Sequence, residues 1–323
     1  MYLGKLIGSA VVASALMFSA ANAEEWRLGH VLPPSHPTNI ALEAAAAEIL
    51  AQTDGRIDIK VFPAGQIGGA KEVLTGMTVG THQMAFDGAG ILSQWNARAG
   101  VFEAPFLAAD FAHLDRMTAS PAGQEIFDEL LNDHGYRVLD VWYYGTRHLT
   151  NNRGPVNSVA DMAGLKVRVP EVALSLAFAK ALGASPTPMA FSELYLGLQT
   201  GVVDGQENPL PTIDAAKFYE VQDHLALTGH LVQFVAPIVS EAAWSAASEA
   251  DRAVVLDVFS SVGDAYNQSI VDVEAGLVAA LEAAGMQVTR PDRAEMAASM
   301  APLYAEFDSV WGAGTYDAMA AVE

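Results

Sequence analysis

The sequence predicts an α/β protein of two lobes, on three observations. Strand and helix signals alternate in the order β-α-β-α-β through residues 26–88. The alternation restarts after about residue 136. A proline-free stretch with helical apolar spacing, Ser248 to about Gly285, is long enough to brace both units.

The first unit opens on WRLGHVL (26–32), a strand by its apolar alternation. Thr38 is the expected N-cap of an alanine-rich helix that runs to about Gln52 and stops at Asp54-Gly55. IDIKVF (57–62) alternates as the second strand, KEVLTGMTVG (71–80) is helical, and HQMAFDG (82–88) is the third strand. The second unit begins with YRVLDVWYY (136–144), read as one strand. NSVADMAG (157–164) is a short helix leading into the strand GLKVRVP (164–170). In that strand Leu165, Val167 and Val169 share one face, and Lys166 and Arg168 the other. LSLAFAKALG (174–183) is a helix closed by Gly183; Ser192 is the expected cap of another that ends at Gly201. Between Ser248 and Gly285, Val255, Val258, Val262, Tyr266, Ile270, Val273, Leu277 and Leu281 step by three or four, the stripe of one amphipathic helix. Gly263 is the place where such a helix would break into two.

Composition narrows the function classes. The 323 residues include 38 acidic and 17 basic side chains, a net charge of −21. Nucleic acid and anionic membrane surfaces are poor partners for such a chain. Residues 1–23 read as a cleaved secretory signal: Lys5, an apolar run from Leu6 to Phe18, then the small-x-small site Ala21-Asn22-Ala23. The apolar run is shorter than the roughly 20 residues of a spanning helix, so no membrane insertion is expected. The expected location is the periplasm. With no cysteine there is no disulfide, thiolate nucleophile or cysteine metal site.

Enzyme signatures are sparse. The chain has no G-x-S-x-G elbow, no Walker A loop and no H-E-x-x-H. His30 and His36 are spaced poorly for a metal and read as structural or surface residues. Gly88-Ala89-Gly90 imitates the start of a dinucleotide loop, but Ser93 stands where its third glycine should be. No cofactor and no metal are expected. The scarce cations are more telling. Arg168 lies near the C-terminal end of its strand, Arg147 follows another strand, and Asn208 in DGQENP sits in a turn after a third. C-terminal strand ends are where open α/β sheets bind ligands, and guanidinium forks match carboxylates. The competing reading pairs each arginine with one of the many acids.

The runs GTRHLTNNRGPVNSVADMAGLKVRVP, LGASPTPMAFSELYLGLQTGVVDGQENPL, AKFYEVQDHLALTGH and PDRAEMAASMAPLYAEF, with GRIDIKVFPAGQIGG and GVFEAPFL nearer the start, carry a resemblance. The chain closely resembles the DctP-type substrate-binding proteins of tripartite ATP-independent periplasmic (TRAP) transporters, over essentially its whole mature length. The resemblance implies a two-lobed periplasmic-binding-protein fold with hinge segments and a long helix across both lobes. Lobe I would comprise residues 24–145 plus 234–273, and lobe II residues 146–233 plus 274–323. It implies a small carboxylate ligand in the cleft, forked by Arg168 and oriented by Asn208. Arg147 would be a second carboxylate or hydroxyl contact, Phe191 would pack on the ligand body, and Glu72 would meet sugar-acid hydroxyls. The expected partners are TRAP membrane subunits, with the protein itself a monomer. The second lobe is most similar to sialic-acid binders, yet the chain departs from them at Gly88, Ile91 and Glu171. Those departures argue against sialic acid and leave sugar acids and small hydroxy, keto or dicarboxylic acids open. Glu171 would accept ligand hydroxyls or pair with an arginine. The alternatives from other classes are an exported lyase or isomerase using Glu72 or Glu171 as base, and a ligand-presenting sensor subunit.

Overall fold

The computed structural model describes residues 24–323. The expected signal peptide, residues 1–23, lies outside the described residues. Ten strands form one mixed sheet: β1 (Glu24–Gly29), β2 (Ile57–Phe62), β3 (Met84–Asp87), β4 (Tyr136–Val138), β5 (Trp142–Asn151), β6 (Lys166–Val169), β7 (Ser185–Pro188), β8 (Gly205–Pro209), β9 (His224–Ser240) and β10 (Gln287–Thr289). Their order is β2-β1-β3-β9-β5-β8-β6-β7, with β4 and β10 also paired to β9. At one end β1, β2 and β3 are parallel. At the other end β6 is parallel to β7 and β8. Helical crossovers impose this within each half. Between them the long β9 pairs antiparallel with β3 through Ala236–Val239 and with β5 through most of the rest of its length. The two halves therefore share β5 and β9, the two-lobed arrangement that the strand–helix alternation predicts.

Three local expectations change. The stretch 136–144 is two strands, because Leu139–Val141 leave the ladder after β4. This places Arg147 inside β5 rather than after a strand. The helix Pro37–Gln52 is capped by His36, whose ring accepts from the Thr38 N–H; Thr38 itself is inside the first turn. His30 and His36 are both buried and structural, His30 bonding Asn39 and His36 bonding Thr212. Ser192 likewise falls inside the helix Phe191–Gln199, which no side chain caps.

The helix Glu249–Ala283 is continuous over 35 residues, capped by Ser248. At 1.5 Å per residue it reaches about 52 Å. Val255, Val258, Phe259, Tyr266 and Ile270 pack into one apolar cluster, while Leu277 and Leu281 pack into a second with Leu194, Leu198 and Phe218. Gly263 does not break it. A Cβ there would lie 2.3 Å from Trp142 Nε1 and 2.6 Å from the Asp140 carboxylate, so glycine lets the helix press onto β5. Alanine at an open helix site gains about 1 kcal/mol over glycine. Here Trp142 is fully buried and cannot yield, so overpacking reverses the sign. Gly263→Ala is expected to lower the unfolding free energy by about 1–2 kcal/mol in urea titration; an unchanged or raised urea midpoint would refute this packing argument.

The C-terminal helices Ala301–Trp311 and Thr315–Ala320 pack against residues 97–103, and the first also meets the helix Ala173–Ala181. No helix among the described residues is long and apolar enough to cross a membrane.

Candidate functional site

The strands β6, β8 and β5 lie side by side and border one cavity, β6 and β8 at their C-terminal ends and β5 at its middle. Register pairs Arg168 with Gln206 across β6 and β8, and Arg147 with Pro209 across β5 and β8. The cavity has a volume of about 210 Å³, and its lining includes all six residues singled out from the sequence: Glu72, Arg147, Arg168, Glu171, Phe191 and Asn208. Asn208 reaches it from within β8, not from a turn.

Arg168 is 3% exposed. Its Nε donates to the Met189 carbonyl at 2.9 Å. It makes no ion pair among the described residues, so the outer edge of its guanidinium retains its donors. Its charged carbon stands 5.9 Å from the centre of the Phe191 ring. Burial pulls its pKa down to about 10, with the Glu207 charge acting against that and Arg147 adding to it. It remains a cation at neutral pH. A buried cation is costly unless paired, and the missing counter-ion is the most informative property of the cavity.

Arg147 is buried in the opposite condition. Its Nε and Nη2 bond the Glu207 carboxylate, Nη2 also bonds the Glu207 carbonyl, and Nη1 donates to Gln233 at 2.7 Å. Four of its five N–H groups are thus engaged, which leaves one for a ligand oxygen. Burial works to raise the Glu207 carboxyl, but Arg147 and the hydrogen bond with His230 outweigh it and hold the pKa at about 2. His230 is itself held below its ordinary value by burial. The competing reading of an arginine paired with an acid applies to Arg147 and not to Arg168.

Consecutive residues on a strand face opposite ways. Glu207 therefore turns to Arg147 while Asn208 turns to Gln206, whose amide oxygen accepts from Asn208 Nδ2 at 2.5 Å. This leaves the Asn208 carbonyl oxygen free of any donor among the described residues and fixes which way its amide points. Glu72 and Glu171 are exposed at the rim. Gln94 reaches across and donates to the Glu171 carbonyl at 3.3 Å, so residues from both halves of the chain close over the cavity.

The wall around β3 and β9 was missed from sequence. Asp87 ends β3 and lines the cavity, as do Glu103 and Gln233. Gln233 donates to Glu103 at 2.6 Å. The glycines of the Gly88-Ala89-Gly90 run make room for that acid: a Cβ on Gly90 would sit 2.2 Å from Glu103 Oε2, and one on Gly88 would sit 3.0 Å from Oε1. The signal for Asp87 was available, since it stands at a strand's C-terminal end as Arg168 does.

Residues 28–309 of the chain match one family model, described as bacterial extracellular solute-binding protein, family 7, DctP. The chain belongs to this family. It is 43% identical over 287 residues to the sialic acid-binding periplasmic protein SiaP of Vibrio cholerae, covering 87% of this chain and 89% of that protein. Among solved structures it is similar to a TRAP periplasmic solute-binding protein from Polaromonas bound to D-erythronate. That match has a TM-score of 0.88 and 32% identity, covering 93% of this chain and 99% of the other. A TRAP solute-binding protein from Roseobacter denitrificans with bound L-galactonate matches with a TM-score of 0.82 and 31% identity, covering 89% and 98%. The DctP chain described here is thus a TRAP solute-binding protein, and its likeness extends through the cavity-forming strands.

Proposed function

We propose that this DctP-family protein captures a small organic acid in the periplasm through Arg168 and delivers it to TRAP membrane subunits. The observation that carries the reading is Arg168 itself: a buried cation whose outer edge meets only the cavity. A ligand carboxylate supplies the charge and both acceptors that this edge lacks. The Asn208 carbonyl faces donors on the ligand, Arg147 offers one further N–H, and Phe191 flanks the fork. Relatives with bound D-erythronate, L-galactonate and succinate support a carboxylate as the recognised group. The cavity, at about 210 Å³, is smaller than the ~300 Å³ at which pockets for drug-sized ligands begin, which favours an acid no larger than a hexose acid over the bulkier sialic acid.

The lobes are residues 24–145 plus 234–273 and residues 146–233 plus 274–323, with the last two helices strapped back onto the first lobe. Irregular pairing between β5 and β9 at Tyr143/Gly145 and Arg147/Leu149 supports a hinge near that boundary. Glu274 pins the same bend, accepting from the Thr146 N–H at 2.9 Å and the Tyr143 hydroxyl at 2.7 Å. The protein acts as a secreted monomer, freed of residues 1–23, and performs no covalent chemistry.

A thermal-shift screen of sugar acids, C4-dicarboxylates, keto acids and sulfonates tests this. A ligand at a hundredfold excess over its Kd stabilises the folded state by about 2.7 kcal/mol, a melting shift of several degrees. The bound acid should be recovered chemically unchanged after prolonged incubation. Turnover of the acid would instead favour the lyase or isomerase, and sulfonates alone shifting the protein would contradict carboxylate capture.

A further inference from the structure

The cavity is asymmetric in charge. On the β6 side stands Arg168, a cation with no counter-ion. On the β3 side stand two carboxylates that form no ion pair among the described residues, Asp87 and Glu103. The strands β3 and β6 are separated in the sheet by β9, β5 and β8, so these groups face the ligand space from different walls. Among the described residues the Asp87 carboxylate accepts only the Gly88 N–H, at 2.8 Å. Glu103 is held by Gln233 and the Gly90 N–H. The Arg147 charge between the walls is already neutralised by Glu207. The remaining cation of the lining, Lys71, stands exposed at the rim beside Glu72.

We propose that Asp87 and Glu103 determine specificity: they accept hydroxyl hydrogens from the far end of the ligand and reject a second carboxylate there, so that the ligand class is a polyhydroxylated monocarboxylate, an aldonate or uronate. The proposal rests on the reading of Arg168 as the carboxylate fork. Carboxylates only accept hydrogen bonds when ionised, so a hydroxyl-bearing terminus satisfies them and another carboxylate does not. Burial already pushes Asp87 up to about 7, so that it is about half ionised at neutral pH, and pushes Glu103 upward as well; a second ligand carboxylate could be seated beside them only by binding a further proton. A further negative charge beside them would be opposed more strongly than in water.

The discriminating comparison uses acids that differ only at the terminal carbon: threonate against tartrate, gluconate against glucarate, galactonate against galactarate. Calorimetry on the wild-type protein should show at least one monoacid binding, and binding about a hundredfold or more tighter than its diacid. In Asp87→Asn, and independently in Glu103→Gln, the monoacid should weaken and the diacid gain, narrowing that ratio. A wild-type protein that binds a diacid as tightly as its monoacid overturns the proposal, even if either variant fails to fold. A folded Asp87→Asn with an unchanged ratio overturns it too. If diacids are preferred but lost in Arg168→Ala, only this specificity assignment falls and the carboxylate fork stands. If the bound acids are unaffected by Arg168→Ala, the fork falls with it.

Discussion

Arg168→Ala is expected to lose at least about a hundredfold in affinity for the captured acid. A hydrogen bond to a charged group contributes about 1.5–3 kcal/mol, and two are made by a bidentate carboxylate. Two such bonds at the low end amount to about 3 kcal/mol, or two decades in Kd. Arg168→Lys keeps the charge but replaces a planar fork with a point charge on a flexible stem, so it should remain weak. Folding should survive the alanine change, because the arginine is a buried cation without an ion pair and its loss removes a desolvation cost. A folded Arg168→Ala with wild-type affinity by calorimetry would show that the carboxylate is bound elsewhere.

Glu207→Ala acts on the fold instead. It strips Arg147 of its counter-ion and His230 of its hydrogen-bond partner in one step. Removing one partner of a buried ion pair costs about 3–5 kcal/mol because the other charge is left unpaired. The melting temperature should fall by roughly 6–10 °C on that basis. The double variant Arg147→Met, Glu207→Leu should be less destabilised than the sum of the two single changes, since no orphan charge remains. The same pair sets an acid limit. The Glu207 carboxyl is near 4.5 when unfolded and about 2 when folded. Its contribution is fully present above about pH 4.5 and is lost as pH falls through about 2. Urea unfolding from pH 6 down to pH 2 should therefore show a loss of stability that Glu207→Gln flattens. Equal slopes in the two proteins would contradict the assignment.

Asp87 has the opposite sign. Its carboxyl rises from 3.8 to about 7 on folding, so the folded state holds the proton longer than the unfolded chain does. That lowers stability progressively as pH rises from about 4 to 7. The two acids therefore pull the pH–stability curve in opposite directions in different windows, and single substitutions separate them.

The legible parts of the fold were those where one period dominates. IDIKVF alternates strictly and is β2 over the same six residues. The Val255-to-Leu281 stripe persists through Gly263, save at Val273, which is exposed, because that glycine serves a close approach rather than a break. What failed to read was structure that contradicts local chemistry. The strand β8 is Gly-Gln-Glu-Asn-Pro, with three turn-forming residues in five and no β-branched or aromatic side chain, yet every one of them is buried. Its ladder partners on β5 and β6, distant in sequence, override its local preference. For the same reason Glu207 went unnoticed beside Asn208: only the cross-strand register shows that it faces Arg147. The division of the arginines into one paired and one unpaired was likewise invisible, because pairing depends on which acid the topology brings near.

The arrangement gives the cavity a division of labour. Arg147, Glu207, His230 and the half-buried Gln233 form a hydrogen-bonded network, with the arginine charge neutralised, that holds β5, β8 and β9 together. Arg168 on the neighbouring β6 and Asn208 on the opposite face of β8 keep their ligand-facing atoms unsatisfied. A rigid network beside unsatisfied groups is how a binding site stays preorganised without collapsing onto its own charges.

The central claim, that Arg168 is the carboxylate anchor, is tested most directly by the crystal structure of the protein with the acid that stabilises it in the thermal screen. The expected result is a ligand carboxylate whose two oxygens each lie about 2.7–2.9 Å from the outer nitrogens of Arg168, with Asn208 alongside. A carboxylate seated on Lys71 or Arg147, with Arg168 facing only water, would contradict it.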